Sequence, residues 1–261
     1  MKTNGLVVML TDFGEQDFYV GAMKGVIYKT FPQAKIESIS HSVSKFNLRE
    51  TAFTLFNSAK EFSKGTTFLV VVDPGVGTQR KEIVLQTENN LNFVAPDNGV
   101  LTLVAQEFGT KKIFEILSKR LGKSLSSTFH GRDIFAPVSA KISKGEKLDF
   151  LRKISRMKTL KIQKAKVRNG KIYGEILSID SFGNCITNIP NNLLKNDFGR
   201  VLLTQIVDKK FSFKFSKTYG NSKKGDSLNL ISSSDFLEFA TNQGNFAKEF
   251  GIEIGMKVRV N

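Results

Sequence analysis

Five short, glycine-punctuated motifs of acidic and amide residues follow apolar runs in this chain. Thr11-Asp12-Phe13-Gly14 comes after Leu6 to Leu10, Asp73-Pro74-Gly75-Val76-Gly77 after Phe68 to Val72, and Ala95-Pro96-Asp97-Asn98-Gly99 after Leu91 to Val94. Ser127-Thr128-Phe129-His130-Gly131-Arg132-Asp133 and Asp180-Ser181-Phe182-Gly183-Asn184 complete the set. Asp and Asn at the C-terminal ends of strands, on turns where Gly lets the backbone approach closely, are where open α/β sheets gather ligand contacts. Together the motifs read as one site. Gly75-Val76-Gly77 opens like a dinucleotide fingerprint, but its sixth position is Arg80, and no Gly-Lys-Ser/Thr loop is present, so the motifs argue against a cradle for pyrophosphate or triphosphate. Carboxylates and amides suit ribose hydroxyls, an amino group or a purine edge. That chemistry points to a nucleoside and is compatible with a positively charged substituent on it.

The elements that must position these groups have two textures. Up to about Lys144, strand and helix signals alternate. Leu6 to Leu10 and Phe68 to Val72 are apolar runs suited to strands buried on both faces. Val20, Met23, Ile27 and Phe31 recur at helical spacing before Pro32. Asn47 with Glu50 resembles a capping box ahead of the apolar face of Leu48, Ala52, Leu55, Phe56, Ala59 and Phe62. Val100 to Phe108 and Ile134 to Ile142 read as two further helices. The alternation predicts an α/β domain with a mostly parallel sheet over residues 1–150. Residues 151–168, within a lysine-rich stretch of little apolar periodicity, read as a linker. Short strands with Gly, Asn and Asp turns (172–179, 201–207, 211–215, 228–231 and 256–260) predict a smaller barrel-like all-β domain over 169–261.

Composition narrows the class. The chain has 261 residues, 40% hydrophobic and 24% charged, as expected of a globular protein with a well-buried core. One cysteine, Cys185, excludes an intrachain disulfide, and two histidines argue against a metal site. The apolar stretch near the N-terminus is too short for a signal peptide or a membrane span, so a cytoplasmic protein is expected. The net charge of +15 is spread along the chain without a nucleic-acid-binding pattern. A solvated basic surface is favoured over a nucleic-acid face.

The five motifs, in this order over nearly the whole chain, resemble the S-adenosyl-L-methionine hydroxide adenosyltransferase family, relatives of the S-adenosylmethionine-dependent fluorinase and chlorinase. The resemblance implies an α/β N-terminal and a β-barrel C-terminal domain, and homotrimers with each active site between neighbouring subunits. It implies hydrolysis of S-adenosyl-L-methionine to adenosine and L-methionine by water attacking ribose C5′, with no cofactor. Asp73, Arg80 and His130 match the hydroxide branch's triad, whereas the halogenases carry a tyrosine at the position of Asp73 and lack the Arg and His. The fluorinase's inserted loop is replaced here by the short link Gln86 to Asn90. Gly131 is shared with the chlorinase and does not separate the branches.

The chemistry suits the triad. Methionine leaves a sulfonium as a neutral thioether, needing no acid, while water must be oriented and lose a proton to a positioned His or Asp. The residues alone favour an Asp–Arg ion pair fixing a loop, with His130 a buried residue at a helix start, and the resemblance reverses that preference. By the same resemblance Asp12 accepts the ribose hydroxyls (its other reading being a cap of the Val20 helix) and Phe46 lies beside the ribose. Asp180 accepts the methionine ammonium, Phe182 stacks on adenine, Asn184 reads the adenine edge, and Tyr219 falls near a second stacking aromatic. Ser233 and Ser234 align with methionine-carboxylate contacts, although the fluorinase has arginine at the second. His41 reads as structural. Two alternatives stay open: a halogenase, and a non-catalytic adenosine or S-adenosylmethionine sensor.

Overall fold

The computed structural model describes residues 3–122, 125–194 and 198–261, in two compact units that meet at Leu160/Lys161. The first unit holds strands β1 (Leu6–Thr11), β2 (Lys35–Ser40), β3 (Thr67–Val71), β4 (Glu82–Gln86), β5 (Asn92–Pro96), β6 (Lys112–Ile116) and β7 (Leu151–Ile154) in one sheet of order β2-β1-β3-β5-β4-β6-β7. Its helices are α1 (Tyr19–Thr30), α2 (Leu48–Ala59), α3 (Thr102–Phe108) and α4 (Ala136–Lys144).

The sheet is mixed rather than mostly parallel. β2, β1, β3 and β5 run parallel, but β4, β6 and β7 are joined by antiparallel pairings. The link from β4 to β5 spans only residues 87–91, too short for the crossover that a parallel neighbour needs. Alternation along β1 sends Val7 and Met9 to the face covered by α1 and α4, where they pack with Met23, Ile27, Leu69, Val71 and Phe135. Val8, Leu10, Phe68 and Val70 point the other way and are just as buried, which explains why these strands read as continuous apolar runs. Asn47 caps α2 through its Oδ1, which accepts from the Glu50 N–H. The Glu50 carboxylate turns instead to the Ser44 N–H, so the box is only half formed.

The stretch expected to connect the domains carries structure at both ends. Its start is β7, the edge strand beside β6, and residues 151–160 belong to the first unit. Leu151–Ile154 is a four-residue edge strand with Arg152 and Lys153 exposed, too short to leave a periodic apolar signal.

The second unit contains β8 (Lys166–Arg168), β9 (Lys171–Ile179), β10 (Cys185–Pro190), β11 (Val201–Ile206), β12 (Lys209–Phe215), β13 (Ser227–Ile231), β14 (Phe236–Thr241) and β15 (Lys257–Val260), with one short helix α5 (Phe246–Phe250). Seven of these close into a barrel in the order β10-β14-β13-β12-β11-β15-β9, and β9 returns to β10. β8 pairs with the first residues of β9. The interior is packed with Leu202, Phe215, Leu237, Phe239, Phe246 and Val258. Among the described residues no helix is long and apolar enough to cross a membrane.

Candidate active site

The parallel register sets where the first unit presents its chemistry. Thr11 lies opposite Val71, so Asp12 and Asp73 both emerge just past the C-terminal ends of adjacent strands β1 and β3. β5 ends at the same edge, and there Asn98 Nδ2 donates to the Val72 carbonyl at 2.8 Å while Asp97 Oδ1 accepts from the Lys158 N–H at 2.7 Å. The third motif is therefore structural: it ties down the β3 exit and the start of the chain leaving β7.

The loop after β3 folds back so that Arg80 meets Asp73. Arg80 Nε donates to both Asp73 oxygens, at 3.1 and 2.9 Å, and Nη2 donates to Oδ2 at 2.5 Å. The Gly75 N–H adds a contact to Oδ1 at 3.2 Å. Gly77 makes the next approach possible: at φ +77°, a Cβ there would lie 2.7 Å from the Ser127 carbonyl oxygen. The 73–80 loop thus lies against the loop that delivers His130. Arg80 Nη2 also donates to His130 Nδ1 at 2.8 Å. A guanidinium can only donate, so Nδ1 is the acceptor and the neutral imidazole carries its proton on Nε2. Burial, followed by the Arg80 charge, holds the His130 pKa below its ordinary value. The triad is assembled, but it is not a set of three. Glu82, the first residue of β4, accepts from Arg80 Nη1 at 2.7 Å and stands 3.4 Å from His130 Nδ1. The sequence reading missed Glu82. A carboxylate two residues from an arginine carries no local signal of a site, and only the fold buries both.

His130 enters the helical turn of residues 131–135 that runs into α4. Asp133 in that turn accepts from Arg132 Nε at 2.7 Å and from the Ser126 N–H at 2.8 Å, bracing the loop ahead of His130. Beside it, Phe13, Phe18, Tyr19, Phe129 and Arg132 line an aromatic cleft of about 370 Å³.

Asp12 does not cap α1, whose N-terminus has no side-chain cap. Its Oδ2 accepts from the backbone N–H of Phe46 at 2.9 Å. Phe46 sits at φ +62° and is 63% exposed, outside the core. His41 is structural, as read: Nδ1 bonds Thr11 Oγ1 and Nε2 bonds Ser38 Oγ, each at 2.8 Å, pinning β2 to β1.

In the second unit Asp180, Phe182 and Asn184 form one tight turn between β9 and β10. Asp180 Oδ1 accepts from the N–H groups of Phe182 and Asn184, and Oδ2 accepts from Asn184 Nδ2, all at 2.9 Å. Phe182 is left 73% exposed at the tip. Gly183 has φ +85°, and a Cβ there would fall 2.1 Å from Asn245 Cγ. Tyr219 is half-exposed, and its hydroxyl donates to the buried Glu238 at 2.5 Å. Burial raises the Glu238 pKa, and Asp180 raises it further. The same two carboxylates, after burial, push the Cys185 thiol up to about 12, so it stays a neutral core residue. Ser234 Oγ bonds Ser232 Oγ at 2.7 Å, and Ser233 is exposed on the same turn. A larger cleft of about 500 Å³ near β8, lined by Lys164, Lys166, Arg168 and Lys257, contains none of these residues. Volume is a poorer guide here than chemistry.

Comparison with known proteins identifies the family. The SAM hydroxide adenosyltransferase N-terminal domain model matches residues 7–152, and the corresponding C-terminal domain model matches 174–259. The chain is 34% identical to an (R)-S-adenosyl-L-methionine hydrolase of Methanocaldococcus jannaschii, over 95% of this chain and 92% of that one. It is 30% identical to the (R)-S-adenosyl-L-methionine hydrolase of Thermus thermophilus, over 97% and 98%. A fluorinase from an Actinoplanes species is 26% identical, over 100% and 99%. An uncharacterized conserved protein of Thermotoga maritima superposes with a TM-score of 0.92 at 41% identity, covering 97% of this chain and 99% of that one. The chain belongs to the SAM hydroxide adenosyltransferase family.

Proposed function

We propose that the protein hydrolyses S-adenosyl-L-methionine to adenosine and L-methionine, the (R) epimer at sulfur being the form for which its relatives are named. The observation that carries this reading is the buried Asp73–Arg80–His130 cluster, which has the groups that water needs and a halide does not. A water oxygen bonds to ribose C5′ in line with the C5′–S bond. That bond breaks with its electron pair going to sulfur, so methionine departs neutral and unprotonated. The water must shed a proton. Because Arg80 donates to Nδ1 of His130, the imidazole offers an N–H at Nε2 and not a lone pair. His130 therefore orients the water as a donor, and the Asp73 carboxylate is the member of the triad able to take the proton.

In this reading Asp12 accepts the ribose hydroxyls beside Phe46, and the Asp180–Asn184 turn with Phe182 and Tyr219 receives the adenine and the methionine ammonium. Ser233 and Ser234 lie at the methionine carboxylate. These groups belong to two separate units. We infer a cytoplasmic homotrimer in which neighbouring subunits complete each site, to be tested by sedimentation; a fully active monomer would contradict it. No metal or cofactor takes part, so EDTA should leave turnover intact. The deciding experiment is incubation with S-adenosyl-L-methionine in ¹⁸O-labelled water, with mass spectrometry of the products. Label on the adenosine 5′-hydroxyl is expected. A 5′-halo-5′-deoxyadenosine formed in chloride or fluoride would support the halogenase alternative, and binding without turnover would support the sensor.

A further inference from the structure

We propose that Glu82 is a positioning residue of the catalytic cluster, its carboxylate fixing the Arg80 guanidinium so that Nη2 donates at once to Asp73 and to Nδ1 of His130, leaving the imidazole proton on Nε2. The proposal rests on the hydrolase reading above and adds to it a fourth residue and a defined tautomer.

The argument starts from what each group is attached to. Asp73 lies on a loop and His130 at the start of a helical turn, whereas Glu82 begins β4 and is registered against Pro96 of β5. It is the only one of the four anchored in the sheet. Arg80 is planar and nearly fully buried, its side chain 4% exposed. Nε and Nη2 are spent on Asp73, and a buried Nη1 without an acceptor would be costly. Glu82 Oε1 supplies that acceptor at 2.7 Å from the opposite edge. Held on two edges, a rigid guanidinium cannot rotate, and its remaining Nη2 direction is aimed at His130 Nδ1 at 2.8 Å. Glu82 itself is 3.4 Å from the same Nδ1, but two acceptors do not bond, so Arg80 decides the tautomer. The other charged groups facing the imidazole are Asp73 and Asp133, the latter already paired with Arg132. Two carboxylates against one guanidinium also leave the cluster with a surplus negative charge, which suits a sulfonium substrate.

The test uses the whole protein labelled with ¹⁵N-histidine. Only His41 and His130 contribute signals, and long-range ¹H–¹⁵N spectra report the tautomer without substrate. Native protein should show His130 as Nε2–H. Glu82→Ala, and Glu82→Leu as a variant that fills the space, should show both tautomers, with kcat down about 10- to 100-fold and KM within about threefold. Glu82→Gln, whose amide oxygen can still accept from Nη1, should restore the single tautomer and most of kcat. Apolar variants that keep Nε2–H with native kcat would overturn the proposal. So would native protein with Nδ1–H, or a Gln variant as impaired as the Leu variant. Absence of hydrolysis by the native chain would defeat the hydrolase reading, while the spectra would still decide the role of Glu82.

Discussion

Asp12 holds the backbone N–H of Phe46 at 2.9 Å across 34 residues of chain, and Phe46, itself exposed, is thereby kept in the left-handed region at φ +62°. A non-glycine residue pays for that conformation, so a buried carboxylate bonded to its N–H is what makes it persist. In the proposed reading one carboxylate thus has two tasks: accepting the ribose hydroxyls, and placing the ring next to them.

This coupling makes Asp12→Ala and Asp12→Asn distinguishable. Ala loses the charged acceptor and releases Phe46, and adenosine affinity should fall by about 10- to 100-fold, the worth of one or two hydrogen bonds to a charged group. Asn keeps an oxygen for the Phe46 N–H and should lose less. Calorimetric titration with adenosine measures both; equal affinities for the two variants would show that the Phe46 contact does not matter.

His130 is expected to act as a donor. His130→Ala should lower kcat by about 10²–10⁴ with adenosine affinity within about threefold. His130→Gln, which can present an N–H near the position of Nε2, should recover part of that loss, whereas a histidine acting as base would not be rescued. Because the His130 pKa is lowered, by burial first and then by Arg80, Nδ1 takes up a proton only below the ordinary imidazole value of 6.5. That breaks the bond from Arg80 and releases the ring, so kcat should be flat at neutral pH and fall only on the acid side. The stability sign is the same. The unfolded chain takes up this proton first, so folding loses the contribution as pH drops below 6.5. Native protein should therefore lose more Tm than His130→Gln between neutral pH and about pH 5.

Asp73 and Arg80 should behave as a unit. Either Ala substitution strands a buried charge, at a cost of about 3–5 kcal/mol in stability. For turnover, the double variant should be scarcely worse than either single one, since each alone dismantles the cluster. Additive losses in kcat would mean that the two residues act separately.

Gly183→Ala tests the turn proposed to receive adenine. The substitution places a Cβ at positive φ and 2.1 Å from Asn245 Cγ. About 1–3 kcal/mol of strain should appear as lowered Tm, and adenosine affinity should drop because Phe182 and Asn184 flank the residue. Ser181→Ala, in the same turn, is the control and should change neither quantity.

Much of this was legible in the sequence for local reasons. Continuous apolar runs announced the doubly covered strands β1 and β3, and alternation in Phe211 to Phe215 announced a half-buried barrel strand. The Asp180 motif is a turn whose hydrogen bonds span at most four residues, so its sequence contains its geometry. Tertiary structure decided the rest. The antiparallel half of the sheet and the edge strand β7 depend on pairing partners far away in sequence. Asp12 as the anchor of Phe46, and Asn98 as a clamp on Val72, are bonds across 34 and 26 residues that no local pattern encodes. Glu82 shows the limit most clearly. A carboxylate two residues from an arginine reads as a surface charge until the fold buries both and brings His130, 50 residues beyond Arg80, against the same guanidinium. Residue types set what chemistry was available; burial and long-range register determined which groups share a proton network, because hydrogen bonds act over about 3 Å and sequence separation does not measure that distance.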